Sequence, residues 1–158
     1  DAQKRLLYAQ SKEGQVDIHL KHITELLLTP ACPGCGVSFI DFSGCFAITC
    51  ALCSTNFCGY CLFNCGTVDA HAQAVDCGFY RKHMGKTSGY FGSGAEAKTF
   101  ETMMRIRLPE LAVSYVLALE DPVVRTMLVD KCRGQEALQS APFFDLNRFL
   151  DHEKLKRK

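Results

Sequence analysis

The sequence predicts a small α+β protein whose middle is held by zinc and built of short strands, with helices on either side. Three observations predict it. Cys-x2-Cys recurs three times, as Cys32/Cys35, Cys50/Cys53 and Cys58/Cys61. The same stretch carries Gly and Phe in short runs that read as strands and turns. Before and after it, apolar residues recur at helical spacing.

Residues 1–30 form an N-terminal helical linker in this reading: Leu6, Leu7, Val16, Leu20, Ile23 and Leu27 fall near helical spacing, Gly14 is the weak point, and Pro30 stops the run. Residues 31–84 are the zinc-binding domain. Within it "VSFIDF" and "CFAITC" flank "SG", which predicts a β-hairpin with Cys45 just after the turn. "GKTSGYFGSG" at 85–94 is a Gly/Ser-rich hinge. Its Gly85-Lys86-Thr87 is not a phosphate loop, because Tyr80 stands where that loop needs its first glycine. Residues 95–158 are a C-terminal helical region. "AEAKTFETMMRIRL" and "PELAVSYVLALE" read as separate helices, with Pro109 in the first turn of the second. "DPVVRTMLVDKC" has Asp121 as N-cap with Pro122 behind it, and "FFDLNRFLDHEKLK" is the last candidate.

At 158 residues the chain suits one ordinary domain or two small ones, and 47% hydrophobic with 22% charged residues is a globular composition. A net charge of +1 gives no global electrostatic case for nucleic acid or an anionic membrane as partner. The basic "EKLKRK" at 153–158 reads as a solvated helix end, and "LAVSYVLAL" at 111–119 is too short to span a bilayer. No signal-peptide pattern opens the chain, and Asp1 without a Met suggests an excised fragment. Ten cysteines, six of them in Cys-x2-Cys pairs, with no secretion signal, argue for zinc over a disulfide framework and for a reducing compartment, cytoplasmic or nuclear.

Zinc takes four thiolate or imidazole ligands in a tetrahedron, and a Cys-x2-Cys turn supplies two of them from one tight loop. Cys32, Cys35, Cys50 and Cys53 make one set. Cys58 and Cys61 open a second, which His71 and Cys77 complete, with Cys65 a competitor for either of the last two places. Two zinc ions are therefore expected, and their binding would contribute folding free energy to a middle segment with little apolar mass. Cys132 lies in a helical segment and reads as a buried hydrophobe. Cys45 lies between two ligand pairs, and spacing leaves it open between a structural thiol and a nucleophile held on a rigid loop.

Residues 32–77 resemble the second, catalytic RING-like domain of RING-between-RING ubiquitin ligases. The resemblance runs through Cys32, Cys35, Gly44-Cys45, Cys50, Cys53, Cys58, Cys61, His71 and Cys77, with "FCGYC" at 57–61 and "CGFYRKH" at 77–83. It implies a zinc-stabilised RING-like or in-between-RING-like module. It also implies that Cys45 accepts ubiquitin as a thioester from a charged ubiquitin-conjugating enzyme and passes it to a substrate amine. A helix before the domain, like 16–29 here, often guides ubiquitin in that family. Two positions depart from the pattern: Ala47 stands where the family commonly has a histidine base, and Asn56 where it has an acidic or amide helper. The base then falls to His71, His83 or another group, or amine transfer is weak, or the cysteine is vestigial. The alternative reading is a non-catalytic zinc-binding interaction module of in-between-RING type. A zinc-dependent nucleic-acid binder is disfavoured by the lack of Lys and Arg between residues 32 and 77.

Overall fold

The computed structural model describes residues 1–39, 44–85 and 96–156. Among the described residues, helices accompany one antiparallel sheet of three strands, an α+β arrangement as expected. It divides into two compact units, one formed by Asp1–Leu28 with Leu108–Lys158 and the other by Thr29–Arg107. The N-terminal helices therefore group with the C-terminal ones. Most of the expected hinge, 86–94, lies outside the described residues.

In the helical unit, α1 (Ala2–Gln10) and α2 (Lys12–His22) are separated at Ser11, one turn before the weak point expected at Gly14. The reason is capping. Ser11 is extended, its Oγ accepts from the Gly14 N–H at 3.0 Å, and the same hydroxyl donates to the Tyr8 carbonyl at 2.6 Å. Gly14 is needed for a different purpose: a Cβ there would lie 1.8 Å from the Tyr8 carbonyl oxygen. A π-helical turn, Ile23–Leu27, ends the segment before Pro30.

Two further helices are α6 (Pro122–Arg133) and α8 (Leu146–Lys156), with the short α7 (Glu136–Ser140) between them. Asp121 caps α6 as expected, accepting from the Val123 and Val124 N–H groups. Val124, Leu128 and Cys132, spaced by four, form its buried stripe, and α6 packs on α2, which buries Val16. Lys12–Asp121 and Lys131–Asp17 ion pairs bind the same two helices at the surface, where such pairs contribute little.

The helix α5 (Glu96–Leu117) runs through Pro109, where two helices were expected. Proline there removes one backbone hydrogen bond and crowds the preceding turn, at a cost of about 3 kcal/mol. Burial of Met103, Met104, Ile106 and Leu108 before it, and of Ala112, Val113 and Val116 after it, offsets that cost. No helix among the described residues is long and apolar enough to cross a membrane.

In the second unit β1 (Ala47–Thr49), β2 (Asn56–Cys58) and β3 (Asn64–Gly66) lie in the order β1-β2-β3, all antiparallel. Ala47, Ile48 and Thr49 pair with Cys58, Phe57 and Asn56. The strand Ala47–Thr49, part of "CFAITC", thus forms a hairpin with β2, while the hairpin expected between "VSFIDF" and "CFAITC" runs through residues outside the described ones. Of "VSFIDF", Ser38 makes one bridge to Ala31, and residues 40–43 lie outside the described residues. The helices α3 (His71–Val75) and α4 (Gly78–Met84) follow. Phe46 stacks on Tyr60 at 3.9 Å between ring centroids, and Tyr60 lies 4.6 Å from Tyr80, giving this unit an aromatic core of its own.

Candidate metal centre

Each Cys-x2-Cys pair folds into the same knuckle. The first cysteine's carbonyl accepts from the N–H four residues on: Gly36 to Cys32, Ser54 to Cys50 and Leu62 to Cys58, at 2.9, 2.9 and 2.8 Å. The first cysteine's own N–H reaches the carbonyl five residues on, in Val37, Thr55 and Phe63, at 2.9, 2.9 and 3.1 Å. In all three the residue after the second cysteine is left-handed, with φ of 77° at Gly36 and 63° at both Ser54 and Leu62. Two of these residues are not glycine, so the knuckle imposes a conformation that costs on the order of 1–2 kcal/mol at each. Both connections of the sheet are such knuckles: Cys50–Cys53 joins β1 to β2, and Cys58–Cys61 joins β2 to β3.

The first two knuckles face each other. The Sγ atoms of Cys32, Cys35, Cys50 and Cys53 all lie within 4.8 Å of one another, with Cys32–Cys53 at 3.6 Å and Cys35–Cys50 at 3.8 Å. A tetrahedron with zinc–sulfur bonds of about 2.3 Å has edges of about 3.8 Å, so the sulfurs stand where a four-thiolate ion needs them. Cys32 and Cys50 are buried against Phe57, with Phe39, Ile48 and Leu62 packed around them, while Cys35 and Cys53 are exposed. The Thr55 hydroxyl, 3.1 Å from Cys53 Sγ, holds that thiol down to about 6.

The third knuckle meets Cys77, which lies between α3 and α4. The Sγ atoms of Cys58, Cys61 and Cys77 lie within 4.8 Å of one another, all three residues are buried, and among the described residues the group has no fourth member. Hydrogen bonding from Cys58 and Cys77 holds Cys61 down to about 3, and the same contact pushes the Cys58 thiol up. Arg107 of α5 donates from Nε to the Cys61 carbonyl at 2.9 Å and places positive charge beside these sulfurs.

His71 does not join this group. Its ring Nδ1 lies 2.6 Å from Asp69 Oδ1, which also accepts from its backbone N–H at 2.7 Å, and the side chain is 51% exposed. Both contacts hold the Asp69 carboxyl below the usual range, the backbone N–H foremost. The face of α3 explains the placement. Ala70, Ala74 and Cys77 are buried and spaced by four and three, and Gln73 shares their side, whereas His71 and Ala72 point outward. Gln73 is the residue sequence reasoning missed: its Nε2 lies 4.0 Å from Cys61 Sγ. The signal was there, in the spacing of Ala70, Gln73, Ala74 and Cys77. Cys65 also stays outside the group, half-buried, with its Sγ 3.8 Å from the Phe63 carbonyl.

Cys45 belongs to neither group. It is half-buried and lines an open cleft of about 480 Å³ together with Cys32, Phe39, Ile48, Leu52 and Phe57. The Ala47 N–H donates to its Sγ at 3.4 Å and fixes the thiol's orientation. Gly44 has φ of 97°, and no atom lies within 4 Å of the place its Cβ would take, so glycine is required there by conformation. The helper position, Asn56, is engaged across the β1–β2 pair, accepting from the Thr49 hydroxyl at 2.6 Å. Cys132 is fully buried in the helical unit, and burial pushes its thiol up to about 12, as befits an inert core residue.

No known protein family, curated protein or solved structure matches the chain. The cysteine groups can hold metal ions, and their thiolate character is consistent with zinc.

Proposed function

We propose that residues 29–107 form a RING-like, two-zinc module of a ubiquitin ligase, in which Cys45 carries ubiquitin as a thioester. The observation that supports this reading is the position of Cys45, outside both metal-holding groups and on the wall of an open cleft beside the first. A zinc-bound thiolate is committed to its metal, whereas an uncommitted thiol on a zinc-stapled loop is free to react. The Cys45 thiolate attacks the thioester carbonyl of a charged conjugating enzyme. A carbon–sulfur bond forms to Cys45 as the bond to the enzyme's cysteine breaks and its thiolate leaves. A substrate amine then attacks the new thioester, a carbon–nitrogen bond replaces the carbon–sulfur bond, and the amine's proton passes to a base.

The second step is the weaker one in this chain. Among the described residues, no histidine or carboxylate lines the cleft, and Ala47 offers no proton acceptor. That observation favours the second reading, a non-catalytic interaction module of in-between-RING type. The two part on one experiment, incubation of the chain with a charged ubiquitin-conjugating enzyme followed by a non-reducing gel. The ligase reading expects a thiol-sensitive ubiquitin adduct that disappears in Cys45→Ala and becomes a thiol-resistant ester in Cys45→Ser, with zinc content unchanged in both. Ala47→His should then speed discharge to lysine. No adduct on the wild-type chain, or an adduct that persists in Cys45→Ala, overturns it.

A further inference from the structure

The two cysteine groups are built from the same knuckles but end differently. Four thiolates complete the first. The second has three, and the side chain that reaches toward it is a carboxamide. Gln73 Nε2 stands 4.0 Å from Cys61 Sγ, close to the separation of about 3.6 Å between a sulfur and an oxygen or nitrogen ligand on one zinc ion. His71, the only imidazole on α3, points to the other side of the helix, where Asp69 holds it through both ring and backbone.

We infer that the second centre is a three-thiolate zinc site whose fourth position is exchangeable and faces Gln73, and that His71 is not its ligand. The inference rests on the metal-holding part of the reading above and is independent of Cys45. A carboxamide is a feeble zinc ligand beside a thiolate or an imidazole, since it carries no charge and its oxygen is weakly basic. It can hold a small ligand such as water in place through either end of the amide, and it yields to a stronger donor. Zinc sites with three protein ligands and an open position accept exogenous donors, whereas four-thiolate sites are closed. Charge agrees with this arrangement: zinc with three thiolates carries one net negative charge, and Arg107 supplies one positive charge at the Cys61 carbonyl. The donors such a position takes are neutral imidazoles and small thiols, so this centre is also the one through which metal would be exchanged with a thiol-rich donor or a chelator.

The test uses the full chain loaded with cobalt(II), whose visible absorption reports its ligands. Two cobalt ions should bind, and added imidazole should change the absorption of one of them. In Gln73→His that response should vanish, because the chain now fills the position itself. With zinc in place of cobalt, 4-(2-pyridylazo)resorcinol should then extract the second ion about tenfold more slowly than from the wild type. Should Gln73→His fail to fold, Gln73→Ala should still bind two ions and still respond to imidazole. His71→Ala should leave ion count, absorption and extraction rate unchanged. Loss of an ion in His71→Ala, or an imidazole response that only this variant shows, would make His71 the ligand and overturn the inference. Two bound ions with no imidazole response in the wild type overturn it while leaving the zinc reading intact. A chain that binds only one ion overturns both.

Discussion

The two units solve the same problem with different chemistry. In the helical unit, Val16, Ile23, Leu128, Val129, Leu138 and Phe149 are fully or almost fully buried, and long helices satisfy their own backbone. In the cysteine-rich unit each strand is three residues long and both sheet connections are knuckles, so hydrogen bonds alone cannot hold the register. Its core combines the aromatic stack of Phe46, Tyr60 and Tyr80 and the buried Phe100, Met103 and Met104 with cysteines: Cys32 and Cys50 are themselves core residues beside Phe57. A unit with strands this short depends on its cysteine groups as the helical unit depends on buried area, and a metal bound there would carry stability in coordination bonds.

Metal removal should separate the units most sharply. Structural zinc supplies on the order of 10 kcal/mol of apparent binding free energy, comparable to the whole stability of a small domain. Excess chelator should therefore melt the sheet and the short helices α3 and α4, while hydrogen exchange in α2 and α6 stays slow. Equal loss of protection in both units would show that the helical unit has no stability of its own.

Single substitutions should reproduce the contrast on a smaller scale. Cys32→Ala leaves three ligands at the first centre and should lower the zinc count by one, with collapse of the β1–β2 hairpin. Leu128→Ala should cost about 2–5 kcal/mol in the helical unit, read as a fall in its unfolding midpoint, with zinc content unchanged. Cys132→Ala removes one buried sulfur and should cost about 1 kcal/mol, again without zinc loss. A change in zinc count with either of the last two would break the division of labour.

How much of this was legible in the sequence follows the same division. The knuckles are local: a Cys-x2-Cys turn closes on itself within six residues, so the first cysteine group and three members of the second could be read from spacing. Asp121 as the cap of α6 was legible for the same reason. What failed depended on facing and on distant partners. His71 lies at a plausible ligand spacing, yet a helix of five residues turns it away and turns Gln73 in. The strand Ala47–Thr49 pairs forward to β2 through the Cys50–Cys53 knuckle, a pairing that depends on how the chain folds back and not on the strand's own residues. Pro109 sits inside α5 because the buried residues on both sides of it outweigh one lost hydrogen bond. The grouping of α2 with α6 joins residues more than a hundred positions apart, as in the Lys131–Asp17 contact, and no local pattern announces it.

The smallest expected effect tests the knuckles themselves, through the two left-handed residues that are not glycine. Ser54 is exposed, with φ of 63°, and its side chain makes no contribution to the core. Glycine there removes a left-handed penalty of about 1–2 kcal/mol and adds about 0.5–1 kcal/mol of backbone entropy cost. Ser54→Gly should therefore stabilise the zinc-loaded chain by about 0.5–1 kcal/mol, seen as a raised unfolding midpoint at unchanged zinc content. Leu62 has the same φ but packs against Cys32, Cys50 and Phe57. Burying a leucine side chain completely contributes about 1.5–3 kcal/mol, and even half of that removes most of what glycine would gain. Leu62→Gly should accordingly bring no stabilisation and cost up to about 1 kcal/mol. Opposite signs at two positions of identical backbone geometry would show that one knuckle is strained only by its backbone while the other is also a piece of the core; equal signs would mean that the left-handed residue is not where the strain resides.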